Sequence, residues 1–138
     1  MPQFEFTHEI VESPTGARLQ LNSSLAKSPK GVVQINHGLA EHAARYQAFA
    51  QTLNEAGYHV YAHDHRGHGG TTAPDAPAGM FAPDQGAAKV IADVAAVHAL
   101  IAKRHPDLPV ITFGHSMGGL VALNHAFAHP QRAAGLAI

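Results

Sequence analysis

A chain of 138 residues, 46% hydrophobic and 14% charged, has the length of one domain and enough apolar content to close a core, which excludes a disordered chain. Nine basic and ten acidic residues leave a net charge of −1 with no block of either sign, so no nucleic-acid partner is expected. The absence of cysteine excludes disulfides and thiolate chemistry. Met1–Ile10 mixes Glu5, His8 and Glu9 with aromatics and lacks the pattern of a secretory signal, and no apolar run approaches the roughly 20 residues of a membrane helix. A cytoplasmic protein is the expectation, with peripheral membrane contact left open.

In chain order, Phe4 to Val11 and Arg18 to Leu25 alternate as strands, and Ser13-Pro14-Thr15-Gly16 between them makes a hairpin turn. Gly31 to Asn36, with Val32, Val33 and Ile35, has the short apolar run of a buried parallel strand. Tyr46, Phe49, Ala50 and Leu53 fall at helical spacing, and Gly57 is placed to end that helix. His59 to His63 is a further strand, and Arg66 to Gln85, rich in Gly, Pro and Thr, is loop. Lys89 to His105 is helical, with Val90, Val94, Val97 and Ile101 on one face and Pro106 as its stop. Val110 to Phe113 is a buried strand, Ser116 to His129 a helix with Leu120, Leu123 and Phe127 aligned, and Ala133 to Ile138 a last apolar strand. Strands alternating with helices predict an α/β fold: a mostly parallel sheet with helices on both faces.

Phe113-Gly114-His115-Ser116-Met117-Gly118-Gly119 links a strand to a helix, and its core is G-x-S-x-G. In that setting the motif lifts a serine hydroxyl out of a turn so tight that side chains at Gly114 and Gly118 would clash. The hydroxyl is then expected at the C-terminal ends of the strands, where open sheets place ligands, over a helix N-terminus that favours negative charge. Asn36-His37-Gly38-Leu39-Ala40-Glu41-His42 follows the third strand. Together with Arg45-Tyr46 and Asp64-His65-Arg66-Gly67-His68-Gly69, these segments resemble the monoacylglycerol lipase and lysophospholipase branch (serine aminopeptidase S33 type) of the α/β-hydrolases, along essentially the whole chain.

The resemblance implies a cofactor-free enzyme that cleaves a small acyl ester through Ser116 as nucleophile. It implies that the backbone N–H groups of Leu39 and Met117 form the oxyanion hole. His37, Gly38, Gly114, His115 and Gly118 would support those loops. His37 is read as propping its loop rather than as a base, because the triad order on this fold is serine, acid, histidine. Dehalogenases and epoxide hydrolases share the fold but carry Asp where this chain has Ser116.

After Ser116 come Asn124, His125 and His129 and no acid. His125 and His129 ride a helix that leads away from the hydroxyl, and His115 points elsewhere on the turn. The expectation is therefore the N-terminal portion, residues 1–138, of a single hydrolase domain truncated after the nucleophile helix, without its cap or its triad Asp and His. Alone it is expected to be inactive. The alternative is a non-catalytic or complementing half, partnered by a C-terminal segment or by a second copy through the exposed last strand. Twelve histidines, among them His63, His65 and His68, raise the thought of metal, but their spacing matches no zinc signature and no metal is expected.

Overall fold

A computed structural model describes residues 4–77, 79–130 and 134–138. Six strands form one sheet: β1 (Thr7–Glu12), β2 (Arg18–Ser24), β3 (Gly31–Asn36), β4 (Tyr58–His63), β5 (Val110–Gly114) and β6 (Gly135–Ala137), in the order β1-β2-β4-β3-β5-β6. The hairpin β1–β2 is antiparallel and joins β4 antiparallel, whereas β4, β3, β5 and β6 run parallel. Three helices connect them: α1 (Gln47–Glu55), α2 (Gly86–Arg104) and α3 (Met117–Ala128).

The chain leaves β3 through α1 to reach β4 on one side, then crosses back through α2 to β5 on the other. Right-handed crossovers in opposite directions put their helices on opposite faces of the sheet. Period-two alternation in β3 serves both faces. Val33 and Ile35 pack with Ala50 of α1, and Val32 packs with Val97 and Ile101 of α2. Gln34, on the α2 side, is fully buried and donates its amide to Val94 O at 3.2 Å. Val90, Val94, Val97 and Ile101 form the buried stripe that their spacing predicts.

Differences from the sequence reading lie at the ends and on α3. Phe4 and Phe6 precede β1 and pack into the α1-side core instead of extending the strand. A 3-10 turn, Ala43–Tyr46, comes before α1, and α2 starts three residues before Lys89. The last strand covers Gly135–Ala137, and Ala133, where it was expected to begin, lies outside the described residues. On α3 the aligned apolar residues do not mark the buried face. Leu120 and Phe127 are 65% and 75% exposed, while Gly118, Gly119, Val121, Ala122 and His125 are buried. The first turn of the helix lies close to the end of β3, with a Cβ on Gly118 only 2.0 Å from Asn36 O, so glycine faces inward there.

Candidate active site

Strand register brings three loops together. Asn36, the last residue of β3, is level with His63 at the end of β4 and with Gly114 at the end of β5. The loops starting at His37, Asp64 and His115 thus leave side by side from the C-terminal edge. The crossovers diverge there, so it is the crevice in which open α/β sheets bind ligands.

Ser116 stands between β5 and α3 with φ 55° and ψ −119°, a conformation L residues avoid and one that costs on the order of 1–3 kcal/mol. Three backbone bonds hold it there: His115 N–H to Asn36 O at 3.2 Å, Gly118 N–H to His115 O at 2.9 Å and Gly119 N–H to Ser116 O at 2.9 Å. Ser116 is exposed, and among the described residues its hydroxyl has no hydrogen-bond partner. The neighbouring loop lies against the turn. A Cβ built on Gly38 would sit 3.5 Å from Ser116 Cβ and 3.3 Å from His115 O. Among the described residues neither Leu39 nor Met117 donates its backbone N–H to another group.

Polar side chains fix this loop from three sides. His37 is fully buried, with Nδ1 2.7 Å from Gly38 O and Nε2 accepting from His65 N–H at 2.9 Å. Glu41 accepts from Gly38 N–H at 3.0 Å and from the Tyr46 hydroxyl. Burial alone would raise the Glu41 carboxyl, but the bonds from Tyr46 and Gly38 and the nearby His37 and His115 rings outweigh it and hold the group below its ordinary value. Ala40, between the two, takes a left-handed φ of 58°. Asp64 is buried and ties the loops together, accepting from Ala43 N–H at 2.7 Å and Gly70 N–H at 2.9 Å, while its backbone O accepts from the Thr71 hydroxyl at 2.6 Å. Asp64→Asn keeps one acceptor and turns an amide donor toward the other N–H. It is expected to lower unfolding free energy by about 2 kcal/mol in a urea titration; an unchanged midpoint would mean that the loops hold without it.

Below the crevice lies a cluster of histidines. The His37 ring is 4.4 Å from His65 and 5.3 Å from His68, and His63 is 4.9 Å from His65. Burial pushes His63 down to about 3 and His65 well below its usual value, so both are neutral. Beside them Arg66, fully buried, pairs with Asp93 at 3.2 Å and with Asp75 at 3.2 Å, which anchors the 66–85 loop to α2. Among the described residues no group of three or more metal-ligating side chains is arranged to hold an ion.

Ser116, Leu39, Met117, His37, Gly38, Gly114, His115 and Gly118 therefore meet at one edge. No base joins them. His37 has both ring nitrogens engaged. His125 is nine residues along α3, about 13 Å at the helical rise, and stacks between His98 and His129 at 5.6 and 5.2 Å. A cleft of about 220 Å³ between α2 and α3 opens at Met117 and is lined by Phe81, Val90, Ile91, Leu120 and Val121. A larger hollow, about 610 Å³, is lined by Lys27, Lys30 and Asn54 at the opposite ends of the strands, away from Ser116. The reading of residue types did not reveal the roles of Glu41, Tyr46 and Asp64. The Glu41–Tyr46 bond spans five residues across a turn, and only the clustering of polar residues around Gly38 hints at it.

Comparison with known proteins fits this geometry. A monoacylglycerol lipase of Mycolicibacterium smegmatis is 39% identical over 102 residues, 74% of this chain and 34% of that protein. Human monoglyceride lipase is 33% identical over 111 residues, 80% of this chain and 35% of its own. The chain thus spans about a third of the length of these relatives. A thermostable carboxyl esterase from Bacillus coagulans superposes with a TM-score of 0.83 at 31% identity, covering 97% of this chain and 44% of the esterase. The family profile described as serine aminopeptidase, S33, matches residues 27–138, and with the strained Ser116 turn at the head of a parallel α/β sheet, this chain belongs to that family of α/β-hydrolases.

Proposed function

We propose that these residues form the N-terminal portion of a serine ester hydrolase domain whose substrates are monoacylglycerols or lysophospholipids. One observation carries the reading: among the described residues Ser116 stands exposed in the strained turn with its hydroxyl unpartnered, the Gly38 loop lies against that turn, and neither Leu39 nor Met117 donates its backbone N–H. In the reaction, Ser116 Oγ adds to the ester carbonyl while its proton passes to a base. The carbonyl oxygen becomes an oxyanion held by the Leu39 and Met117 N–H groups. Collapse then expels the alcohol, which takes the proton from the base, and leaves an acyl group on Ser116 for water to remove. No cofactor enters these steps. The base is proposed to come from a part of the protein outside these 138 residues, as does the cap that would choose between lipids, simple esters and peptides. The names of the relatives favour acyl glycerol.

A second reading is kept because of particular surfaces. Leu120 and Phe127 on α3, and Leu136 and Ile138 at the β6 edge, are exposed apolar groups. A complementing C-terminal segment, or a second copy pairing at β6, would cover them. A monodisperse monomer by size exclusion would count against self-association.

The test is covalent labelling by a fluorophosphonate probe, read by mass spectrometry, on this chain alone and with a C-terminal segment added. Labelling at Ser116 is expected only with the second segment and is expected to vanish in Ser116→Ala. Labelling of the chain alone would show that a histidine within it activates the serine. No labelling in either state, with the fold intact by circular dichroism, would overturn the hydrolase proposal.

A further inference from the structure

One peptide unit in the loop after β3 decides whether Ser116 has two amide donors beside it or one. In a planar trans peptide the carbonyl of one residue and the N–H of the next point in opposite directions. Gly38 C=O and Leu39 N–H are therefore two ends of one lever. The carbonyl end is fixed by His37, whose Nδ1 lies 2.7 Å from Gly38 O. A carbonyl oxygen only accepts, so the proton is on Nδ1. Nε2 accepts from His65 N–H and so carries none. The tautomer follows from the two partners together. Glu41 takes the other free group of Gly38, its N–H, at 3.0 Å, and Leu39 N–H is the donor left over.

We infer that His37, held as the neutral Nδ1–H tautomer, is the positioning residue that turns the Gly38–Leu39 peptide so that Leu39 N–H faces the oxyanion position, and that a proton on Nε2 releases it. This rests on the hydrolase proposal for its consequence in catalysis, though not for its geometry. A proton on Nε2 sets donor against donor at His65 N–H. The buried ring then loses its second anchor and must shift, and Gly38 O shifts with it.

The groups facing His37 come from each neighbouring element. Glu41 belongs to its own loop, Asp64 and the rings of His63, His65 and His68 come from β4 and the loop after it, and His115 of the serine turn acts on Glu41. Burial is the largest influence and lowers the His37 value. The Gly38 bond, Asp64 and Glu41 oppose it, and His68 adds to it. Release is thus expected only on the acid side of the ordinary histidine value of about 6.5.

Two measurements test the inference. In long-range proton–nitrogen correlation spectra of the 138-residue chain at pH 7.5, His37 should have a protonated Nδ1 and a bare Nε2. The tautomer should still predominate at pH 6.5, where an ordinary histidine is half protonated, and give way only further into acid. An Nε2–H tautomer, or an imidazolium at pH 7.5, overturns the inference. The second measurement is the rate of Ser116 phosphonylation in the protein supplied with its C-terminal segment. His37→Phe keeps the ring volume but donates nothing to Gly38 O, and should slow labelling about 100-fold, the size of losing one oxyanion donor. His37→Asn retains an N–H near the Nδ1 position and should stay within about tenfold of the parent, a rescue that mere ring packing does not predict. Equal rates in His37→Phe and the parent, or no advantage of His37→Asn over His37→Phe, overturn the inference. If His37→Phe fails to fold, the rate of His37→Asn against the parent decides. A parent that never labels sinks the hydrolase proposal alone, and the tautomer and its acid response then judge His37.

Discussion

Gly118→Ala is expected to cost about 4 kcal/mol or more of stability, enough to leave little folded chain. Helix propensity alone predicts the opposite sign, because Gly118 lies in α3, where alanine is favoured by up to ~1 kcal/mol over glycine. The contact decides the outcome. A Cβ on Gly118 would sit 2.0 Å from Asn36 O and 2.5 Å from His37 O, both backbone atoms of a buried strand end and its loop. Neither can retreat without breaking the bond from His115 N–H to Asn36 O or moving the loop beside Ser116. Gly114→Ala meets the same obstacle, with Gly118 O at 2.2 Å. The control is one residue away. At Gly119 the nearest atom is Ile138 Cγ2 at 2.7 Å, the far end of a flexible, 72% exposed side chain. Gly119→Ala should leave stability within about 1 kcal/mol of the parent, propensity and a small side-chain shift nearly cancelling. Urea unfolding followed by circular dichroism distinguishes the three. Equal behaviour of Gly118→Ala and Gly119→Ala would mean that α3 sits farther from β3 than the structure places it.

Stability should also collapse in mild acid. His37, His63 and His65 are buried and their values are lowered by desolvation, His63 to about 3. In the unfolded chain each takes up a proton near pH 6.5. Below that pH the unfolded state binds more protons than the native one, so unfolding free energy falls as the pH falls. The contribution of these rings is fully present above 6.5 and drains away between 6.5 and their native values, for His63 down to about 3. A ring whose native value lies far below, as for His63 and His65, loses about 1.4 kcal/mol by pH 5.5, so these two together lose roughly 3 kcal/mol, and His37 adds in the same direction. That is a large part of the 5–15 kcal/mol typical of a domain. Unfolding free energy from urea titrations at pH 7.5, 6.5 and 5.5 is expected to be flat over the first interval and to drop steeply over the second. In His63→Leu, which replaces a ring with no hydrogen-bond partner among the described residues, the slope should fall by up to about half. A stability unchanged between pH 7.5 and 5.5 would refute burial as the state of these rings.

How far the sequence reaches can be seen element by element. The α2 stripe of Val90, Val94, Val97 and Ile101 and the apolar run of β3 announce themselves, because a helix against a sheet and a strand covered on both faces impose periods that residue types record directly. The serine turn is equally legible, because Gly114 and Gly118 stand where only the absence of a side chain lets the backbone pass. On α3 the aligned apolar residues do not point to the buried face. Leu120 and Phe127 follow helical spacing, yet the face against the sheet is the one carrying Gly118, Gly119 and Ala122. Periodicity marks a stripe of large apolar groups; distance between helix and sheet selects the small ones.

By itself, then, the sequence determined the order of strands and helices, the tight turn at Ser116 and the polar loop at His37, because each is written in short-range sterics and periodicity. The tertiary structure alone decided that Asn36, His63 and Gly114 end level with one another, that Glu41 and His37 divide the two polar groups of Gly38 between them, and that His63 and His65 lie fully buried with their rings edge to face. These depend on pairing register and on contacts between residues far apart in the chain, and no local pattern encodes the distance between two strands until the sheet has formed.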